Sequence, residues 1–175
     1  MVLGVEIMLM QSDRPMGCVK VALYLSVIIF CLYVSACQAK ADPGFLTLTS
    51  HNSIKLELYN QGGKCSIRVN GASQGRELGV PYPCGFVRVN KKSGAQTYNY
   101  EGVGQVFVVA GPPAEREAYK DSGVNYDHMC SNYGQSVIIQ GEELTLRTSQ
   151  NVSLGFCHLL GFDEKAFYGF AYPVE

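Results

Sequence analysis

The sequence has no tryptophan, only three histidines, and no run of basic residues longer than Lys91-Lys92. Without a basic cluster the chain lacks the electrostatic footprint of a nucleic-acid binder. Gly102-Val103-Gly104 is not a phosphate loop, because it lacks the following helix and the lysine that such loops supply. No serine is expected in a Gly-x-Ser-x-Gly nucleophile elbow. The longest apolar stretch, residues 21–36, is short of the roughly 20 residues that a membrane span requires.

That stretch has the length of a signal-peptide core, with Lys20 immediately before it and Met16 as an internal start. Residues 1–41 are therefore read as an upstream extension and signal peptide, and 42–175 as a single exported domain. Three processing patterns stand at the end of the segment. Ala39-Lys40-Ala41 and Val34-Ser35-Ala36 both carry the small residues that signal peptidase reads. Val34-Ser35-Ala36-Cys37 also resembles a bacterial lipobox, in which Cys37 would be lipidated. Four cysteines follow: Cys65, Cys84, Cys130 and Cys157. Cutting after Ala41, or lipidating Cys37, leaves these four and no odd thiol. The expected location is the periplasm or the secreted space, with a lipid-anchored envelope form as the alternative.

Removing Arg14, Lys20 and Lys40 from the fourteen basic residues, and Glu6 and Asp13 from the fifteen acidic ones, leaves eleven against thirteen. The exported domain is thus nearly neutral, and contact with a membrane is expected only through the signal segment or a lipid anchor.

Period-two hydrophobicity runs through most of residues 42–175, the mark of half-buried strands. Ile54, Leu56 and Leu58 alternate with polar residues, Asn60-Gln61-Gly62-Gly63 turns the chain, and Cys65, Ile67 and Val69 alternate again. Asn70 to Pro83 reads as a loop. Cys84–Val89, Gln96–Tyr100, Gln105–Ala110, Gln135–Gln140, Leu144–Thr148, Val152–Cys157 and Ala166–Tyr172 read as strands. The two continuous apolar runs, 105–110 and 135–140, are expected at the centre of a sheet, buried on both faces. Pro112-Pro113 followed by Glu115 and Glu117 predicts a short helix over 112–120. Asp121–Gly134 shows no periodicity, and unstructured loops of such length are often functional. The fold class is all-β, mainly antiparallel, with one short helix, as a disulfide-stapled sandwich or barrel.

Four cysteines allow three pairings. Cys65–Cys84 and Cys130–Cys157 would each staple neighbouring segments, at roughly 3 kcal/mol apiece in the chain-entropy model. The competing use of the same residues is soft-metal binding by His128-Met129-Cys130 and Cys157-His158, whose spacing matches no known site. A Cys130 nucleophile would need a thiolate in an oxidising compartment. His51, His128 and His158 coexist with many serines, and Glu142-Glu143 and Asp163-Glu164 are paired carboxylates that fit solvated turns. No catalytic residue, metal site or cofactor is expected.

What the chain does have is tyrosine, eleven in all, two of them in the apolar run. Tyr82, Tyr119, Tyr126 and Tyr133 fall in or beside predicted loops, and tyrosine supplies large contact area at low entropic cost. The functional expectation is a periplasmic protein-binding domain, an inhibitor or immunity protein that blocks a hydrolase or toxin by inserting a loop at its active site. The binding residues expected are Tyr82, Tyr119, Asn125, Tyr126, Asp127, His128, Ser131, Asn132 and Tyr133. The alternatives are an envelope structural or adhesion lipoprotein anchored through Cys37, and a small periplasmic hydrolase.

Overall fold

A computed structural model describes residues 44–173. The apolar run, the cleavage patterns and Cys37 lie outside the described residues.

Four strands, β1 (Leu48–His51), β2 (Ile54–Gln61), β3 (Lys64–Val69) and β4 (Arg76–Pro81), form an antiparallel meander in chain order. The hairpin between β2 and β3 turns on Gly62 and Gly63, both with positive φ, where any side chain would be strained. The second sheet contains β5 (Gly85–Phe86), β6 (Thr97–Tyr100), β7 (Gly104–Ala110), β8 (Cys130–Gln140), β9 (Glu143–Leu146) and β10 (Gln150–Cys157). β7 and β8 pair along its centre. β5 and β6 share the outer edge of β7, and β9 and β10 share the outer edge of β8. The sheets face each other as a sandwich, and neither closes into a barrel.

The strand period explains the layering. In β7, Phe107 and Val109 point one way, with Val137 and Ile139 of β8, onto Leu56, Leu58, Ile67, Leu78 and Val80 of the meander. Val106, Val108, Ala110 and Ile138 point the other way, against Phe156 and the helix α1 (Glu164–Ala171), through Phe167 and Ala171. Both faces of the central strands are therefore buried, as the continuous apolar runs require. Each such side chain contributes about 1.5–3 kcal/mol. Residues 46 and 47 lace the layers together, since the Phe86 amide donates to the Leu46 carbonyl and the Leu58 amide to that of Thr47, both at 2.8 Å. Gln135 does the same from within. Its Oε1 accepts from the Gly79 amide at 2.7 Å, and its amide nitrogen donates to the Arg147 carbonyl.

Several local expectations need correction. Ala166–Tyr172 is not a strand: residues 166–171 lie in α1 and Tyr172 caps its C-terminus. Its aromatic residues suit strands, yet Asp163 caps the helix by accepting from the Ala166 amide at 2.8 Å, and Phe167 and Ala171 share its buried face. Arg147 donates to the Ala171 carbonyl at the opposite end, where the helix dipole favours a cation. The loop expected over 70–83 contains β4. The expected helix over 112–120 is only a 3-10 turn, Arg116–Tyr119, because Pro113 pairs in extended conformation with Ser131. The expected strand 84–89 shortens to Gly85–Phe86, and β8 starts at Cys130, inside the segment read as irregular.

Gly134, in β8, lies under the Phe156 ring, and a Cβ there would stand 2.1 Å from the nearest ring carbon. Gly134→Ala should therefore cost about 2 kcal/mol by overpacking, seen as a lower urea midpoint. Adding Phe156→Leu should recover part of that loss, whereas an unchanged midpoint in the single variant would show that the ring moves freely aside.

Candidate functional site

The segment between β7 and β8 is built as a fastened base carrying an exposed excursion. At the base the Gly111 amide donates to the Tyr133 carbonyl at 2.9 Å and the Ala114 amide to the Cys130 carbonyl at 2.8 Å. The Tyr119 side chain turns inward and is buried. Its hydroxyl accepts from the Cys130 amide at 2.7 Å and donates to the Cys130 carbonyl at 2.8 Å, so one phenol satisfies both backbone groups. Burial raises its pKa above the ordinary tyrosine value, with the bond to the Cys130 backbone opposing. Cys130 is the register partner of Cys157 and is disulfide-bonded to it. Tyr119, Cys130 and Cys157 form a small satellite core, with Ala114, Val124 and Leu154 packed against it.

Beyond this base the chain makes a second 3-10 turn, Tyr126–His128. Asn125 Oδ1 accepts from the Asp127 amide at 2.9 Å, and Met129 takes the left-handed conformation with φ 53°. The turn is tied back by the Leu159 amide, which donates to the His128 carbonyl at 3.2 Å, and by the His158 amide, which donates to Met129. On the outside, Tyr126 is 40 % exposed. The Arg116 guanidinium lies 4.7 Å above its ring, and the Tyr119 ring meets it edge-on at 5.0 Å.

The residues singled out from sequence divide accordingly. Asn125, Tyr126, Asp127, Tyr133 and Tyr82 are exposed. Tyr82 belongs to the same end of the sandwich, because β4 ends at Pro81, β5 opens with Gly85 paired to Ala110, and Val80 approaches Gly111. His128 and Asn132 are half-buried, and Asn132 Oδ1 accepts from the Leu154 amide at 2.9 Å. Tyr119 and Ser131 are buried and act as supports, their side chains out of a partner's reach. Arg116 was not singled out, although its position ahead of Tyr119 and Tyr126 in one loop was the available signal. A second tyrosine cluster, Tyr100, Tyr168 and Tyr172, lies where α1 crosses β6, with ring centroids 4.6–6.0 Å apart.

The chemistry open to this end of the molecule is restricted. Cys65–Cys84 and Cys130–Cys157 are both disulfides, so their thiolates are not free to attack a substrate or ligate a metal. Both bonds fit an oxidising, extracytoplasmic environment. Among the described residues no three His, Cys, Asp or Glu side chains converge as metal ligands. His158 is buried, with Nε2 2.7 Å from the Gly111 carbonyl and no partner for Nδ1 among the described residues. A carbonyl can only accept, so Nε2 carries the proton. Burial and the nearby Arg88 charge lower the His158 pKa to about 4, against the opposing pull of the Gly111 carbonyl. One serine does have nucleophile-elbow spacing, in Gly71-Ala72-Ser73-Gln74-Gly75, which corrects the expectation that none does. It joins two antiparallel strands, β3 and β4, with Ser73 exposed and no helix following, so the elbow's strand–turn–helix geometry is missing.

No family model matches the chain, and no curated protein or solved structure is significantly similar to it.

Proposed function

We propose that this domain is an extracytoplasmic protein-binding module, an inhibitor or immunity protein that neutralises a hydrolase or toxin by presenting the loop between β7 and β8 to its active site. The observation that carries the reading is the contrast within that loop. Its base is fixed by the Tyr119 hydroxyl and the Cys130–Cys157 disulfide, while residues 115–118 and 125–127 are exposed. A loop ordered before it meets a partner avoids an ordering cost of about 0.5–1.5 kcal/mol per immobilised side chain. Arg116 stacked on Tyr126 joins two residue types that dominate binding hot spots.

The compartment under this proposal is the periplasm or its equivalent, reached through the signal segment, with Cys37 as the lipid attachment point in an anchored form. The buried supports dictate the choice of test. Shortening 119–133 would remove Tyr119, Cys130 and part of β8 together, so surface substitutions discriminate better. The oxidised protein, used to capture partners from an envelope extract, should retain a stoichiometric hydrolase and inhibit it. Arg116→Ala with Tyr126→Ala should weaken that inhibition about a hundredfold, the loss of two hot-spot side chains, with the melting temperature unchanged. Inhibition undiminished in the double variant would reject the loop as the contact surface.

A further inference from the structure

A different cleft lies at the other end of the sandwich, since β7 runs from Gly104 and Gln105 there to Ala110 beside the loop just described. It has a volume of about 730 Å³, within the range of small-molecule sites. Five carboxamides line it: Asn52 from the β1–β2 turn, Asn70 after β3, Asn99 from β6, Gln105 from β7 and Gln140 at the end of β8. No lysine or arginine lines the cleft, and Glu142 is its one carboxylate. An anionic ligand would therefore meet the Glu142 carboxylate and no permanent cation, with His51 the one basic side chain in the lining.

Two of these amides are held in defined orientations. Asn70 Oδ1 accepts from the Lys55 amide at 2.8 Å, which leaves its NH₂ group as a free donor. Gln105 is buried, and its Nε2 reaches Thr97 Oγ1, whose own proton is committed to the Val106 carbonyl at 2.8 Å. Thr97 Oγ1 must then accept, so Gln105 has to present its nitrogen there and keep its Oε1 without a partner among the described residues. One cleft thus holds an anchored donor and an anchored acceptor, with the side-chain amides of Asn52, Asn99 and Gln140, unbonded among the described residues, around them.

We propose that this cleft binds a neutral saccharide. Hydroxyl groups both donate and accept, and an acetamido group offers one of each, which matches fixed amides of opposite polarity. A peptide is disfavoured because the walls are turns and strand ends. The lining comes from five separate short stretches rather than along one strand, and it includes no tyrosine for side-chain anchoring. The site is independent of the inhibitory loop, so either can fail without the other.

The test is titration of the oxidised protein with maltose, with N,N′-diacetylchitobiose and with a neutral tripeptide, following the side-chain amide resonances of Asn70, Asn99 and Gln105 by NMR. Saturable shifts with either sugar are expected, and the stronger of the two identifies hydroxyl or acetamido recognition. Asn99→Ala and Gln140→Ala, both at exposed positions, should each weaken binding about fivefold, the value of one neutral hydrogen bond, with the melting temperature unchanged. Absence of saturable shifts with both sugars, shifts indifferent to both substitutions, or binding of the tripeptide alone would each overturn the proposal.

Discussion

A chain carrying Cys130→Ala and Cys157→Ala should unfold about 3 kcal/mol more readily than its parent, with a melting temperature lower by about 10 °C. The sequence separation is 27 residues, and in the chain-entropy account its closure restricts the unfolded state by that amount. The loss should not be purely global. Cys130 starts β8 and bonds twice with the Tyr119 hydroxyl, donating from its amide and accepting at its carbonyl, so the satellite core beneath the exposed loop loosens with it. Hydrogen exchange should show the Cys130 amide losing protection ahead of the β7 amides. The Cys65–Cys84 pair is the control. Its removal should cost a similar amount, since its separation is 19 residues, but under the proposed function it should leave inhibition intact. Equal effects of the two removals on partner binding would sever the link between the disulfide and the loop.

The second large effect is a dependence on pH carried by His158. In the unfolded chain its imidazole titrates near the ordinary value of 6.5, and in the fold near 4. Above pH 6.5 both states are neutral and this residue gives no slope. Between 6.5 and 4 the unfolded state takes up a proton that the folded state refuses, so stability falls as pH falls. Below 4 both are charged and the loss is complete, at about 3 kcal/mol. His158→Gln retains a nitrogen donor for the Gly111 carbonyl and removes the titration. Urea unfolding at pH 7 and pH 4.5 should give a smaller difference for this variant than for the parent. Identical differences would mean that carboxylates alone set the acid response.

The strands that could be read from sequence are those whose alternation or apolar length is unbroken. The β2–β3 hairpin declares itself through Leu56, Leu58 and Ile67 around Gly62-Gly63, and β7 through five consecutive apolar residues. β4 was hidden because Gly79 and Pro81 look like loop punctuation, although Gly79 is there to let Gln135 and Ser149 approach. α1 was hidden because Phe167, Tyr168, Phe170 and Tyr172 carry strand propensity, and the aspartate that caps it reads equally well as a turn residue. The long connection was recognisable as an irregular segment, but which tyrosine faces inward depends on the Cys130 backbone, and nothing local to Tyr119 records that. The amide-lined cleft was the least legible feature. Its five carboxamides come from five separate places in the chain and meet only when the two sheets pack.

Each disulfide joins cysteines that are consecutive among the four of the domain, Cys65 with Cys84 and Cys130 with Cys157. For a chain threaded N-terminus first across a membrane, that order has a biosynthetic meaning. An oxidase that joins cysteines as they emerge would form the native pair each time, with the first bond closed before the third thiol arrives. No reshuffling of bonds is then required, and maturation should proceed without a disulfide isomerase.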